Sequence, residues 1–146
     1  MELKRKKVLV FGAGISGIGS CGLLEREGAE VILYDGKADL DIEKVRGQLS
    51  SDAVQIPEEL LEKLDLVVIS LGVPTDLPVV LQMKEKNIPV WGEIELAYVC
   101  GKGDILGITG TNGKTTTTSL LGEIMKNAYE SVFVVGNIGN PYTTVA

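Results

Sequence analysis

Gly12-Ala13-Gly14-Ile15-Ser16-Gly17 lies directly between an apolar run, Val8 to Phe11, and a segment with helical periodicity, and that placement constrains the chain more than any other feature. A strand leading into a GxGxxG turn that opens a helix is the first half of a βαβ unit. The first glycine permits the tight turn, the second lets the backbone approach a diphosphate, and the third lets helix and strand pack closely while the helix N-terminus faces the anion. The helix is expected over Ile15 to Gly28, where Ile18, Cys21 and Leu24 fall at helical spacing and Gly28 follows a charged last turn as a stop. Val31 to Tyr34 is a second apolar run, so the opening third reads strand, helix, strand, and the long crossover makes the strands parallel. Asp35 ends that second strand 18 residues beyond Gly17, where a dinucleotide-binding protein carries the acid that accepts a ribose hydroxyl. The same glycines also suit a bare packing role, and the residues leave open which diphosphate is bound.

The alternation continues with a weak helix at Asp41 to Leu49, a short strand at Ala53 to Ile56, and a helix at Pro57 to Leu64 with proline in its first turn. Asp65 to Ser70 holds the strong buried run Leu66-Val67-Val68-Ile69 and ends in a loop with Gly72 and Pro74. A helix over Leu77 to Asn87 and a strand over Ile88 to Trp91 complete an α/β, Rossmann-like parallel-sheet domain spanning residues 1–92, with Met83 and Trp91 as core residues. Gly92 to Cys100 reads as a linker helix and Gly101-Lys102-Gly103 as a hinge, so residues 93–103 join two units. In the second, residues 104–146, Ile105 to Thr109 is a strand, Lys114 to Asn127 a helix and Val132 to Val135 a strand. Two strands and a helix cannot bury a core comparable to a full nucleotide-binding domain, so this is expected to be the incomplete start of a P-loop domain in a longer protein.

Glycine supplies 18 of the 146 residues, above the typical share of about 7%, so backbone groups are expected to do much of the binding. With 14 basic and 20 acidic residues the net charge is −6, the wrong sign for gripping nucleic acid through many phosphates. The absence of histidine removes Ser-His-Asp and Cys-His catalysis and histidine metal ligation from this chain. Cys21 and Cys100 are too few for a disulfide framework and read as free thiols in a reducing cytoplasm. Lys4, Arg5, Lys6 and Lys7 before an apolar stretch imitate a secretory leader, but Gly12, Gly14, Gly17 and Gly19 break any continuous apolar helix. The basic cluster is instead a solvated strand entry, with Arg5 and Lys7 in water. No apolar run reaches the roughly 18 residues of a membrane span, so a membrane partner is not expected.

A second phosphate-binding junction follows the strand at Ile105 to Thr109. Gly110-Thr111-Asn112-Gly113-Lys114-Thr115 opens a helix, so its amides can cradle phosphate oxygens while Lys114 bridges the terminal phosphates and the Thr115 hydroxyl meets Mg²⁺. The usual P-loop has a glycine where Ile108 stands, which makes this a shortened variant. A lysine at the positive end of a helix is unfavourable without an anion to meet it. The last loop, Gly136-Asn137-Ile138-Gly139-Asn140-Pro141, follows a strand end; Asn137 there serves equally as a substrate contact or as a plain turn residue.

A glycine fingerprint, then Gly92-Glu93-Ile94-Glu95-Leu96, then Gly110-Thr111-Asn112-Gly113-Lys114-Thr115-Thr116, then Gly136-Asn137-Ile138-Gly139, resembles the Mur ligases of bacterial cell-wall synthesis, most of all the branch that adds D-glutamate. The Rossmann-like first domain separates it from the lysine- or diaminopimelate-adding branch, and Asn112 stands where the alanine-adding branch usually has histidine. The resemblance implies that Gly14, Ile15, Ser16, Asp35, Lys37, Ser70, Gly72 and Asn137 hold the UDP portion of UDP-N-acetylmuramoyl-L-alanine. It also implies that Gly110 to Thr116 hold ATP, with Lys114 and Thr115 in the chemistry and Thr115 on Mg²⁺, and that D-glutamate is the second substrate. The resemblance further implies a cytoplasmic protein that is monomeric at full length. The family's metal-binding glutamate, substrate-binding histidine, carbamylated lysine and third domain are expected beyond residue 146, so the chain alone is expected to lack ligase activity. Two other readings stand beside this one. A NAD-dependent oxidoreductase or dinucleotide-sensing module is supported by the fingerprint and Asp35, with the loop at Lys114 against it. A non-catalytic nucleotide-binding piece would self-associate through an exposed strand edge.

Overall fold

The computed structural model describes residues 2–35, 54–55, 63–70, 72–136 and 138–146. β1 (Lys7–Phe11), α1 (Ile15–Arg26), β2 (Glu30–Tyr34), β3 (Val54–Gln55), β4 (Leu66–Ile69), α2 (Pro78–Glu85), β5 (Val90–Gly92) and α3 (Glu93–Cys100) follow in chain order. The five strands form one sheet in the order β3-β2-β1-β4-β5, and every pairing is parallel. β1 lies at the centre because it is apolar on both faces: Val8, Leu9 and Val10 are all buried, as a strand covered on both sides requires.

Side chains alternate across the sheet with period two, and the two sets collect different helices. Val8, Val10, Val31, Leu33, Leu66 and Val68 share one core with Cys21, Leu23 and Leu24 of α1 and with Leu96 and Ala97 of α3. Leu9, Ile32 and Val67 share the other with Met83 of α2. The sheet is covered on both faces, one of them in part by α3, which lies in the segment expected to be a linker helix; Met83 is fully buried and Trp91 packs at the rim of the α1 core. The expected helices at Asp41 to Leu49 and Pro57 to Leu64 fall largely outside the described residues, as do Lys37 and Asn137.

Lys7, expected in water, is instead paired with Glu30 at 3.3 Å. At the same end of the sheet Asp65 ties β4 to β1, accepting from Lys6 Nζ at 2.8 Å and from the Lys7 amide at 2.9 Å. Those two donors hold the Asp65 carboxyl below its ordinary value.

The second unit departs further from expectation. α4 (Lys114–Lys126) forms where it was expected, but Ile105 to Thr109 and Val132 to Val135 are not strands. A strand exists only through a ladder with a neighbour, and neither segment finds one among the described residues. Ile105, Leu106 and Phe133 are consequently exposed, Leu106 and Phe133 to 63% each. Val134 nonetheless lies against α4, where a Cβ on Gly122 would collide with it. The chain then turns back: a 3₁₀ turn, Tyr142–Thr144, packs on α1 and α3, with Thr143 buried.

Candidate nucleotide-binding site

In an open parallel sheet, ligands meet the carboxyl ends of the strands where the order reverses, here between β1 and β4. The glycine fingerprint sits at that point. Gly12 takes φ +104°, a left-handed conformation that favours glycine, and its amide continues the ladder by donating to Tyr34 O at 2.8 Å. Gly17 is needed for a different reason: a Cβ there would strike the Gly12 carbonyl and come within 2.8 Å of Ser70 Oγ. Helix and strand thus touch backbone to backbone.

Two side chains brace this turn from neighbouring strands. The Ala13 amide donates to Asp35 Oδ2 at 2.8 Å from the end of β2, and Ser70 Oγ donates to Gly12 O at 3.2 Å from the end of β4. Asp35 therefore uses one carboxylate oxygen on the loop itself, and the buried Ser70 hydroxyl is likewise turned onto the loop. Gly14 caps α1 with no side-chain hydrogen bond, and Ile15 in the first turn is 74% exposed, so the helix opening presents backbone amides beside a bare apolar side chain. Gly14, Ile15, Ser16, Asp35, Ser70 and Gly72 are thus gathered on the carboxyl edge of β1, β2 and β4.

The second loop is built differently. Gly113 caps α4 at φ +76°, again a conformation that favours glycine, and the loop from Gly110 to Thr117 is exposed throughout. Lys114 Nζ folds back to donate to the carbonyls of Gly110 and, at 3.3 Å, Thr111, so its charge lies over the loop at the helix N-terminus. Thr118 Oγ1 donates to Lys114 O at 2.8 Å, while Thr115 and Thr116 stay exposed. Among the described residues no cluster of three or more acidic, cysteine or histidine side chains could hold a metal. A divalent ion here would rest on the Thr115 hydroxyl and phosphate oxygens, which suits Mg²⁺, an ion that keeps several waters and takes few protein ligands.

Sequence reasoning missed one participant group. Arg26, Tyr142 and Thr143 join the end of the described chain to α1 and α3, and no spacing pattern marked them. Their only signal was negative, a short Pro-Tyr-Thr-Thr stretch with no helical or strand periodicity.

A Rossmann-like sheet with a braced glycine turn, followed by an exposed Gly-Lys-Thr loop on a second helix, defines an α/β protein with two glycine-rich loops at helix N-termini. Comparison with known proteins narrows this. Residues 6–92 match the Mur ligase MurD-like N-terminal domain, and residues 108–145 match the Mur ligase middle domain. The chain belongs to the Mur ligase family. It is 57% identical over 148 residues to the UDP-N-acetylmuramoylalanine–D-glutamate ligase of Lachnospira eligens, covering 98% of this chain and 33% of that protein. The Lachnoclostridium phytofermentans ligase of the same name is 53% identical, again over 98% of this chain and 33% of its own. The chain thus spans about a third of the length of these curated relatives. Among solved structures, a pseudomurein peptide ligase type C from Methanothermus fervidus superposes with TM-score 0.51 at 27% identity, over 84% of this chain and 26% of that one. The UDP-N-acetylmuramate-alanine ligase of Thermotoga maritima gives TM-score 0.52 at 20% identity, over 84% and 30%, a likeness of fold alone.

Proposed function

We propose that this chain carries the uridine-nucleotide side and the phosphate loop of a cytoplasmic, ATP-dependent ligase that joins D-glutamate to UDP-N-acetylmuramoyl-L-alanine. The observation that carries the reading is an exposed Gly-Lys-Thr loop at a helix N-terminus on the same chain as a MurD-like N-terminal domain. Residues 1–92 would form the uridine-binding domain, 93–103 the connection, and 104–146 the opening of the ATP-binding domain.

In this reading Gly14, Ile15 and Ser16 bring the α1 amides to the diphosphate, while Asp35, Lys37, Ser70, Gly72 and Asn137 complete the uridine site. Asp35 and Ser70 do so partly at second hand, by fixing the turn that offers the amides. ATP lies along Gly110 to Thr116. When bound, Mg²⁺ offsets phosphate charge. Lys114 leaves the loop carbonyls for the phosphates, and the Thr115 hydroxyl offers the metal an oxygen. The alanyl carboxylate of the substrate attacks the γ-phosphorus and ADP leaves. The amine of D-glutamate then attacks the acyl phosphate, releasing phosphate and leaving an amide. The chain's own contribution is positioning and charge, which supply most of the acceleration in phosphoryl transfer.

Calorimetric titration with UDP-N-acetylmuramoyl-L-alanine and, separately, with NAD tests the reading. Binding of the uridine ligand with no response to NAD is expected. Binding of NAD alone would overturn it in favour of a dinucleotide-binding module.

A further inference from the structure

The turn that follows the loop at residues 136–140 does not end in solvent. Gly136 N donates to Asn140 O at 2.8 Å, closing that loop, and the chain then descends onto α1. Arg26, in the last turn of α1, donates from Nη2 to Thr143 O at 3.3 Å and to Ala146 O at 3.0 Å. Thr143 is buried over Gly19, so closely that a Cβ on Gly19 would lie 2.6 Å from Thr143 Oγ1 and 3.7 Å from Thr143 Cβ. Tyr142 takes a second glycine seat, its hydroxyl 2.5 Å from where a Gly101 Cβ would stand, just past the end of α3. Two missing side chains and an arginine thus receive a turn from the far side of the phosphate-loop helix.

We infer that residues 142–146 form a joint fixing the chain after Asn140 to the fingerprint helix, which makes Gly19 and Arg26 positioning residues for a uridine-diphosphate ligand held at the start of α1. The inference rests on the proposed uridine site. Its physical content is that α1 carries the phosphate-facing amides at one end and Arg26 at the other, so one rigid helix sets both the fingerprint and the exit of the loop. The packing at Gly19 is steric and therefore separable from helix stability. Alanine is the better helix former, so Gly19→Ala strengthens α1 in isolation while driving its Cβ into Thr143 Oγ1. Among the described residues Thr143 Oγ1 has no hydrogen-bond partner, so Thr143→Ala removes the obstacle without breaking a bond seen there, and leaves two methyl groups at an ordinary contact distance.

The experiment measures amide exchange across the whole chain and calorimetric affinity for UDP-N-acetylmuramoyl-L-alanine and for a non-hydrolysable ATP analogue, in the wild type, G19A, T143A and the double variant. In G19A the amides of Thr144 to Ala146 are expected to exchange about tenfold faster and uridine-ligand affinity to fall about tenfold. Protection in β1 and β4 and affinity for the ATP analogue stay unchanged. T143A behaves as wild type, and the double variant recovers both readouts. R26Q, which removes the Nη2 donor to Thr143 O and Ala146 O, is expected to loosen the same amides. Wild-type failure to bind the uridine ligand would sink the proposed function. Wild-type binding with no loss in G19A, or a loss that T143A does not rescue, would overturn the joint.

Discussion

Lys114 and Gly17 serve their loops in opposite ways, one by charge and the other by the absence of a side chain. On the proposed reading, removing the Lys114 ammonium would delete a charge-assisted hydrogen bond to phosphate, worth about 1.5–3 kcal/mol, so Lys114→Ala should weaken binding of the ATP analogue roughly ten- to hundredfold by calorimetry. Gly17→Ala puts a methyl group into the Gly12 carbonyl, a backbone atom that cannot rotate away, and should destabilise the chain by about 1–3 kcal/mol in a denaturant melt. Burial pushes the Cys21 thiol up to about 12, with the Glu25 charge adding to it, so Cys21 should resist alkylation at pH 8 until the chain unfolds. Cys100, half-buried and raised by desolvation and then by Glu27, should react first, and mass spectrometry of timed alkylation would show the order. Reading such residues from sequence succeeded where backbone geometry leaves one choice, as at Gly12 and Gly113. It did not reveal that Asp35 accepts from Ala13 or that Ser70 donates to Gly12, because which partner a polar side chain takes depends on strands distant in the sequence.

At the scale of elements, β1 and β4 are locked twice, by the ladder from Val8 and Leu66 to Phe11 and Ile69 and by Asp65 at its entry. The folded Asp65 carboxyl lies below its ordinary 3.8, so its contribution is present above that value and is lost as pH falls through the lowered folded value. Asp65→Asn should therefore reduce stability at neutral pH and flatten the acid limb of a stability–pH curve, with little difference from wild type remaining at the most acidic end. The sheet was legible because Val8 to Phe11, Val31 to Tyr34 and Leu66 to Ile69 are apolar on both faces, a pattern that only a covered parallel sheet satisfies. Ile105 to Thr109 and Val132 to Val135 misled for a related reason: an apolar run reports a preference for burial, and pairing needs a neighbour that the run cannot supply.

Across the whole molecule, apolar exposure is uneven. The first sheet is covered on both faces, whereas Leu106, Leu120, Ile124, Tyr129 and Phe133 in the second unit are each more than half exposed. Surface of this kind favours association, so sedimentation velocity should show an average mass that rises with concentration, and Leu120→Lys with Ile124→Lys should suppress the rise. A strict monomer at high concentration would contradict that expectation. The posture of Lys114 bears on the same unit. Its ammonium rests on the carbonyls of Gly110 and Thr111, which satisfy donors on Nζ while leaving its charge over the loop. On the proposed reading, a polyphosphate would compete with two backbone oxygens for a cation already in place, and recognition would become an exchange of partners in which selectivity falls to whichever anion displaces a peptide carbonyl.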